Sequence, residues 1–339
     1  MREFQGSGRA LRFEQPPSIL SFAAIGGKKE AEGPLAGYFD ELSVDTTFGQ
    51  SSWEKAESRL QALALDTALR KLDAGYADLD VLFAGDLLNQ CIGTSFALRE
   101  TGIPFLGLYG ACSTMAESLL LASAFVNGGY ARRAAALTSS HFASAERQYR
   151  FPLGYGGQRT PTAQWTATAA GCCVVGRAAH GPYVMGATIG RIVDLGIKDA
   201  NNMGAAMAPA AVDTLERHFR AFQVSPSDYD LIVTGDLGAL GKQIVLEQTA
   251  KDGYDLSRNY DDCGTLLFDA ERQDVHAGAS GCGCSASVLC GYLLRRMQEG
   301  SLKNLLFCAT GALLSPVSTW QGESIPGICH AVAISAEGR

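Results

Sequence analysis

The chain has no apolar run approaching the roughly 20 residues that a membrane-spanning helix needs. Its first residues, Met-Arg-Glu-Phe-Gln-Gly-Ser-Gly, carry no apolar signal region. A soluble chain is expected, one that can still dock on a membrane complex. Basic tracts are also missing, and the formal net charge is −7, which argues against nucleic acid as a partner. There is no C-x-x-C pair and no spaced histidine pair. Cys282 and Cys284 form a lone C-x-C, too few ligands for a structural metal ion, so no metal site is expected. The 10 cysteines lie mostly in apolar or small-residue contexts, as at Cys172, Cys173, Cys290 and Cys308. That pattern reads as buried thiols in a reducing compartment, not a disulfide framework. What the chain does have is length and apolar content: 339 residues, 47% hydrophobic, enough for two domains or one double-size domain.

Cys112 is the most informative residue. It ends the stretch 103–112, Ile-Pro-Phe-Leu-Gly-Leu-Tyr-Gly-Ala-Cys, and an Ala-rich amphipathic pattern follows at once. The reading is strand, sharp elbow, helix, with a thiol at the helix mouth. Helix N-termini present unpaired N–H groups and partial positive charge, which favours thiolate and nucleophilic use.

Two internal correspondences suggest a duplication. Residues 78–87 (Asp-Leu-Asp-Val-Leu-Phe-Ala-Gly-Asp-Leu) match 228–237 (Asp-Tyr-Asp-Leu-Ile-Val-Thr-Gly-Asp-Leu). Each follows a helical stretch, 53–72 or 211–223, and each reads as a buried strand ending in Gly-Asp. Cys112-Ser113 then leads a helix to Gly128 and a strand to Thr138, while Cys284-Ser285 leads a helix to Gly300 and a strand to Thr310. Strands alternating with helices imply parallel pairing with helices packed on the sheets. The expected halves are 1–180 and 181–339. The offsets differ between the two correspondences, which places an insertion at 141–168, a polar, Gly-rich stretch without sustained period that reads as a long loop near the site.

This pattern resembles the thiolase fold: an α/β architecture of two duplicated βαβα halves, with mixed sheets and layered helices. In that fold the nucleophilic cysteine starts a helix buried between the layers, the place of Cys112. Residues 278–281, Gly-Ala-Ser-Gly, look like the thiolase motif of that sequence, and Thr310-Gly311 falls in the last Gly-rich loop. The departures are equally informative. Thiolases carry a catalytic histidine three residues before Gly-Ala-Ser-Gly, where this chain has Val275. His276 is one residue off, which in a strand points the side chain the other way. The histidine of the ketoacyl-synthase branch corresponds to Asp236. Without a base, Claisen chemistry loses factors of roughly 10²–10⁴, and a site reused for binding is expected.

Longer segments are similar to the stage V sporulation protein AD family of endospore-forming bacteria. They are 84–90 (Ala-Gly-Asp-Leu-Leu-Asn-Gln), 110–114 (Gly-Ala-Cys-Ser-Thr), 138–141, 145–148, 155–158, 207–211, 261–264 and 310–316. The resemblance implies a non-catalytic protein that binds dipicolinic acid, free or as its calcium chelate. It further implies other stage V sporulation proteins of the inner spore membrane as partners, a peripheral location there or in the cytoplasm, and a homodimer formed through the strand at 103–109. No cofactor is implied. Cys112, Ala111, Ser113, Asp86, His141, Asp236, Ser280, Gly281, Thr310 and Gly311 are the candidate ligand-binding residues. For Asp86 and Asp236 the other reading is that each carboxylate ties up turn or helix-start N–H groups. Arg147, Arg150 and Arg159 are either carboxylate forks or a solvated loop face. The competing function is an active acyltransferase using Cys112, since fold alone does not fix function.

Overall fold

The computed structural model describes residues 10–149 and 159–338. Ten of its described strands follow one path. From one edge the order is Tyr260–Asp262, Leu231–Thr234, Asn304–Ala312, Gly327–Ser335 and Tyr183–Thr188. It continues with Ser18–Gly26, Ala169–Gly176, Arg133–Ser140, Val81–Gly85 and Phe105–Gly107. Inward from either edge the pairings run parallel, parallel, antiparallel, antiparallel. The two runs meet through the single pair Ser18↔Tyr183. This is the mixed sheet with layered helices that the sequence implies. We propose the boundary between residues 180 and 181 as the seam of two copies; it falls between the strands Ala169–Gly176 and Tyr183–Thr188.

Local sequence explains the helices that hold this path. Trp53–Lys71 is capped by Ser52, whose hydroxyl accepts from the Lys55 N–H, and it packs an Ala/Leu face on the first-half strands. Met203–Phe222 does the same for Asn304–Ala312 and Gly327–Ser335. Thr114–Gly128 is apolar around most of its circumference and lies between strands of both halves, as such a helix must. The helix from Cys282 through Gln298 is also buried over its first turns, with a π-helical stretch at Val288–Leu293. Among the described residues no helix is long and apolar enough to cross a membrane.

Three expectations need correction. The helix expected at 211–223 begins at Met203, capped by Asn202, and carries Pro209 within it. The segment 141–168 is not one loop, because Phe142–Tyr149 is a helix and Trp165–Thr166 a short strand. Its residues 150–158, including Arg150 and the Gly-rich run, lie outside the described residues. Cys284 does not head its helix either; the helix starts at Cys282 after Gly281, whose φ of +94° suits glycine.

The buried Cys282 helix needs a small residue beneath it. A Cβ built on Gly171 would lie 2.4 Å from the Ala286 carbonyl oxygen. Gly171→Val should therefore lower unfolding stability by about 1–3 kcal/mol through overpacking, read as a lower denaturant midpoint. Gly37→Ala, where a Cβ meets nothing within 4 Å, should leave the midpoint unchanged or slightly raised.

Candidate functional site

The elbow before the Thr114–Gly128 helix is a tight 3-10 turn, Ala111–Ser113. Ala111 has a φ of +50°, a left-handed conformation that an alanine holds only where the surroundings over-determine it. Part of that surrounding is the end of the strand Asn304–Ala312. A Cβ on Gly311 would come within 2.3 Å of the Gly110 carbonyl oxygen, so only glycine lets this strand close on the elbow. Ser113 turns inward, its hydroxyl donating to the Gly110 carbonyl oxygen at 2.7 Å.

The buried Cys112 thiol lies close to the Asp236 carboxylate. Asp236 is itself fully buried. Its Oδ1 accepts from Thr310 Oγ1 at 2.9 Å. Its Oδ2 accepts from Ser280 Oγ at 3.1 Å and from the Gly281 N–H at 3.0 Å. Behind it stands Asp262, which accepts from Thr234 Oγ1 and from the N–H groups of Leu237, Gly238 and Gly264 at 2.7–2.9 Å. Asp262 thereby fixes the turn that carries Asp236. Burial raises the Asp236 pKa to about 6 and that of Asp262 to about 7, against the hydrogen bonds each accepts. Burial first, and then the charge of Asp236, push the Cys112 thiol well above its ordinary value. The elbow thus holds a neutral thiol against a carboxylate.

Cys112 opens on a small pocket of about 100 Å³, less than the several hundred Å³ of a site for a drug-sized ligand. Ala111, Cys112 and Ser280 line it, as the sequence suggests. Leu87, Tyr149, Met203 and Leu314 supply apolar walls, and Thr166, Thr319 and Glu146 add polar groups. Asp236, Thr310 and Gly281 stand behind Cys112 as its support. Among the described residues no lysine or arginine lines the pocket.

Several candidates lie elsewhere. Asp86 is buried and engaged: Oδ1 accepts from the Leu88 N–H at 2.8 Å, and Oδ2 from the Thr94 N–H at 2.7 Å and Thr94 Oγ1 at 2.6 Å. It organises the turn after its strand and does not line the pocket. His141 has both ring nitrogens in use, Nε2 donating to the Thr46 carbonyl oxygen at 2.7 Å and Nδ1 accepting from the Ala143 N–H at 3.2 Å. It is not placed as a base for Cys112. His276, with φ of +53°, pairs with Asp274 at 3.0 Å. Arg147 pairs with Glu54, and Arg159 with Asp274 at 2.9 Å, so neither forks into the pocket.

Sequence reasoning missed Ala145, Glu146 and Tyr149. The spacing of four between Ala145 and Tyr149, one helical turn, was the available signal. Cys282 was also missed as a site neighbour; its thiol donates to the Ser139 carbonyl oxygen at 2.9 Å and packs beside Cys112, Leu87 and Ala145.

The model of the family described as stage V sporulation protein AD matches residues 7–335. The chain belongs to the stage V sporulation protein AD family. It is 44% identical over 326 residues to stage V sporulation protein AD of Bacillus subtilis (strain 168), covering 96% of each chain. Among solved structures it is similar to OleA of Xanthomonas campestris, the E117D variant bound with cerulenin, with TM-score 0.62 and 14% identity over 96% of this chain and 97% of that one. It is also similar to 3-oxoacyl-[acyl-carrier-protein] synthase III of Aquifex aeolicus VF5, with TM-score 0.59 and 13% identity over 94% and 99%. At such identities these likenesses carry the thiolase-like fold of the family and nothing about its chemistry.

A carboxyl whose folded pKa is raised binds its proton more tightly in the folded chain. Its contribution to stability is full below its ordinary value of 3.8 and is lost as pH rises through about 6 for Asp236. The stability difference between wild type and Asp236→Asn should therefore shift against wild type as pH rises from about 4 to about 7. Denaturant unfolding of both proteins across that range checks this; a constant difference, or one shifting toward wild type, contradicts the assignment.

Proposed function

We propose that this chain is a non-catalytic binding protein for dipicolinic acid, free or as its calcium chelate, supporting uptake of that molecule into the developing spore. Family membership supports a role in spore formation. The observation that carries the non-catalytic reading is the contact between Cys112 and Asp236. A nucleophilic cysteine needs a base or a positive field to become thiolate. Here the thiol faces a carboxylate, and the two nearby sequence candidates for a base, His141 and His276, are bonded to other partners.

The pocket suits a flat, rigid, polar-edged ligand. Apolar walls at Leu87, Met203 and Leu314 cover ring faces, and hydroxyl-bearing residues at Thr166 and Thr319 stand at its edges. A rigid ligand loses little conformational entropy on binding, so few polar contacts suffice. Calcium arrives as part of the cargo, chelated by the ligand's own carboxylates. Among the described residues no group of three or more acidic, histidine or cysteine side chains is poised to hold a metal ion. We further propose that a homodimer forms through the strand Phe105–Gly107, which ends the sheet path and leaves Leu106 and Tyr109 partly exposed. Membrane-embedded stage V partners would receive the cargo.

Calorimetric titration with dipicolinate tests the proposal. Wild type should bind saturably, and picolinate, lacking one carboxylate, more weakly because it leaves donors unpaired. Cys112→Ala should weaken binding modestly, since a neutral thiol offers packing and a weak hydrogen bond. Cys112→Trp should abolish binding by filling the slot while the unfolding midpoint shows that it folds. Wild-type affinity in a folded Cys112→Trp variant removes the ligand from this pocket. Turnover of acetoacetyl-CoA or a malonyl substrate at about 1 s⁻¹, within the usual enzyme range, favours the acyltransferase reading instead.

A further inference from the structure

The two-residue strand Trp165–Thr166 pairs with Ala279–Ser280. Thr166 and Ser280 face the Cys112 pocket. Side chains alternate along a strand, so Trp165 lies on the other face of this ribbon. There Phe142 stacks flat on it, with ring centroids 3.9 Å apart and planes 9° apart. Two cations converge on the same indole: Lys29 Nζ at 4.1 Å and Arg159 Cζ at 4.8 Å from the ring centroid.

The two cations share their acids: Asp274 and Glu32 both act on Lys29, and Asp274 also pairs with Arg159. Arg159 Nη2 donates to the Asp274 carbonyl oxygen at 2.7 Å and pairs with its Oδ1 at 2.9 Å. Its other terminal nitrogen, Nη1, is buried and has no hydrogen-bond partner. Asp274 is also shared with His276. Glu30, next to Lys29, is turned inward, where its carboxylate accepts from the N–H groups of Gly27 at 3.1 Å and Thr168 at 2.9 Å. A buried guanidinium N–H without an acceptor is costly to leave unmade. Two like charges over one ring also repel, and cation–π attraction satisfies their charge but not the open donor.

We propose that Lys29 Nζ and Arg159 Nη1 together bind one small oxyanion, a carboxylate or a phosphate group, beside Trp165. This site is separate from the Cys112 pocket and does not depend on what that pocket holds. With Nη2 held by Asp274, Arg159 offers the single Nη1 donor and Lys29 an ammonium point charge. The shared ribbon means that an anion here packs behind the wall that carries Thr166 and Ser280.

Trp165 is the reporter. In a full-length Trp53→Phe/Trp320→Phe background it is the single tryptophan. Its emission is followed in two titrations, inorganic phosphate and acetate, at ionic strength held constant with chloride. The proposal expects a saturable change in at least one arm, and the arm that saturates at lower concentration identifies the group preferred. Lys29→Met and Arg159→Met should each weaken that response about tenfold or more, the value of a lost charge-assisted hydrogen bond. Arg159→Lys, which keeps charge but loses the Nη1 donor, should fall between. Circular dichroism confirms that the variants fold. No saturable response to either anion in wild type, or saturation unchanged in both methionine variants, overturns the proposal. Dipicolinate calorimetry in the Lys29→Met protein keeps the two sites apart, because pocket binding should persist there.

Discussion

Everything at this site depends on one buried approach, the Cys112 thiol beside the Asp236 carboxylate. A carboxylate stripped of water is stable only if hydrogen bonds replace that water. Thr310, Ser280 and Gly281 supply them. Those three residues and Cys112 come from three separate stretches of chain. Their convergence requires the strand Asn304–Ala312, the Gly-Ala-Ser-Gly turn and the cysteine elbow to be in register at once. Gly311 permits the approach of strand to elbow, and Asp262 holds the turn that presents Asp236.

That contact reverses the usual logic of a cysteine at a helix mouth. The helix end favours thiolate, but burial and a neighbouring negative charge oppose it, and both act at the sulfur itself. The fold keeps the pocket that a nucleophile would serve, with its apolar walls and an open mouth. Nothing in the sheet order distinguishes binding from catalysis, so the likeness to 3-oxoacyl-[acyl-carrier-protein] synthase III carries the fold alone.

The elements with strong local signals were legible in the sequence. The helix at Trp53–Lys71 has a cap and a long amphipathic period, and the elbow at 111–113 announces itself by an apolar run, small residues and an Ala-rich continuation. Asp236 was legible as a departure from an expected histidine, and its partners Ser280, Gly281 and Thr310 through motif resemblance. Asp86 misled because it shares the Gly-Asp strand ending with Asp236. The difference lies downstream, where Thr94 and Leu88 offer Asp86 local donors. The helix Phe142–Tyr149 was hidden by its shortness and by the Gly-rich residues after it, so Glu146 and Tyr149 were absent from the expected pocket. Pro209 obscured the true start of the helix at Met203, since a proline in a helical pattern reads as a boundary.

The central claim is that Cys112 is a neutral thiol. Its most direct test is the rate of Cys112 alkylation by iodoacetamide as a function of pH, resolved from the other cysteines by peptide mass spectrometry. The contact with Asp236 predicts slow labelling with no inflection between about pH 5 and 8, the rate still rising beyond the ordinary thiol range. A rate that has already reached its plateau near about pH 7, as an activated thiolate shows, would contradict it.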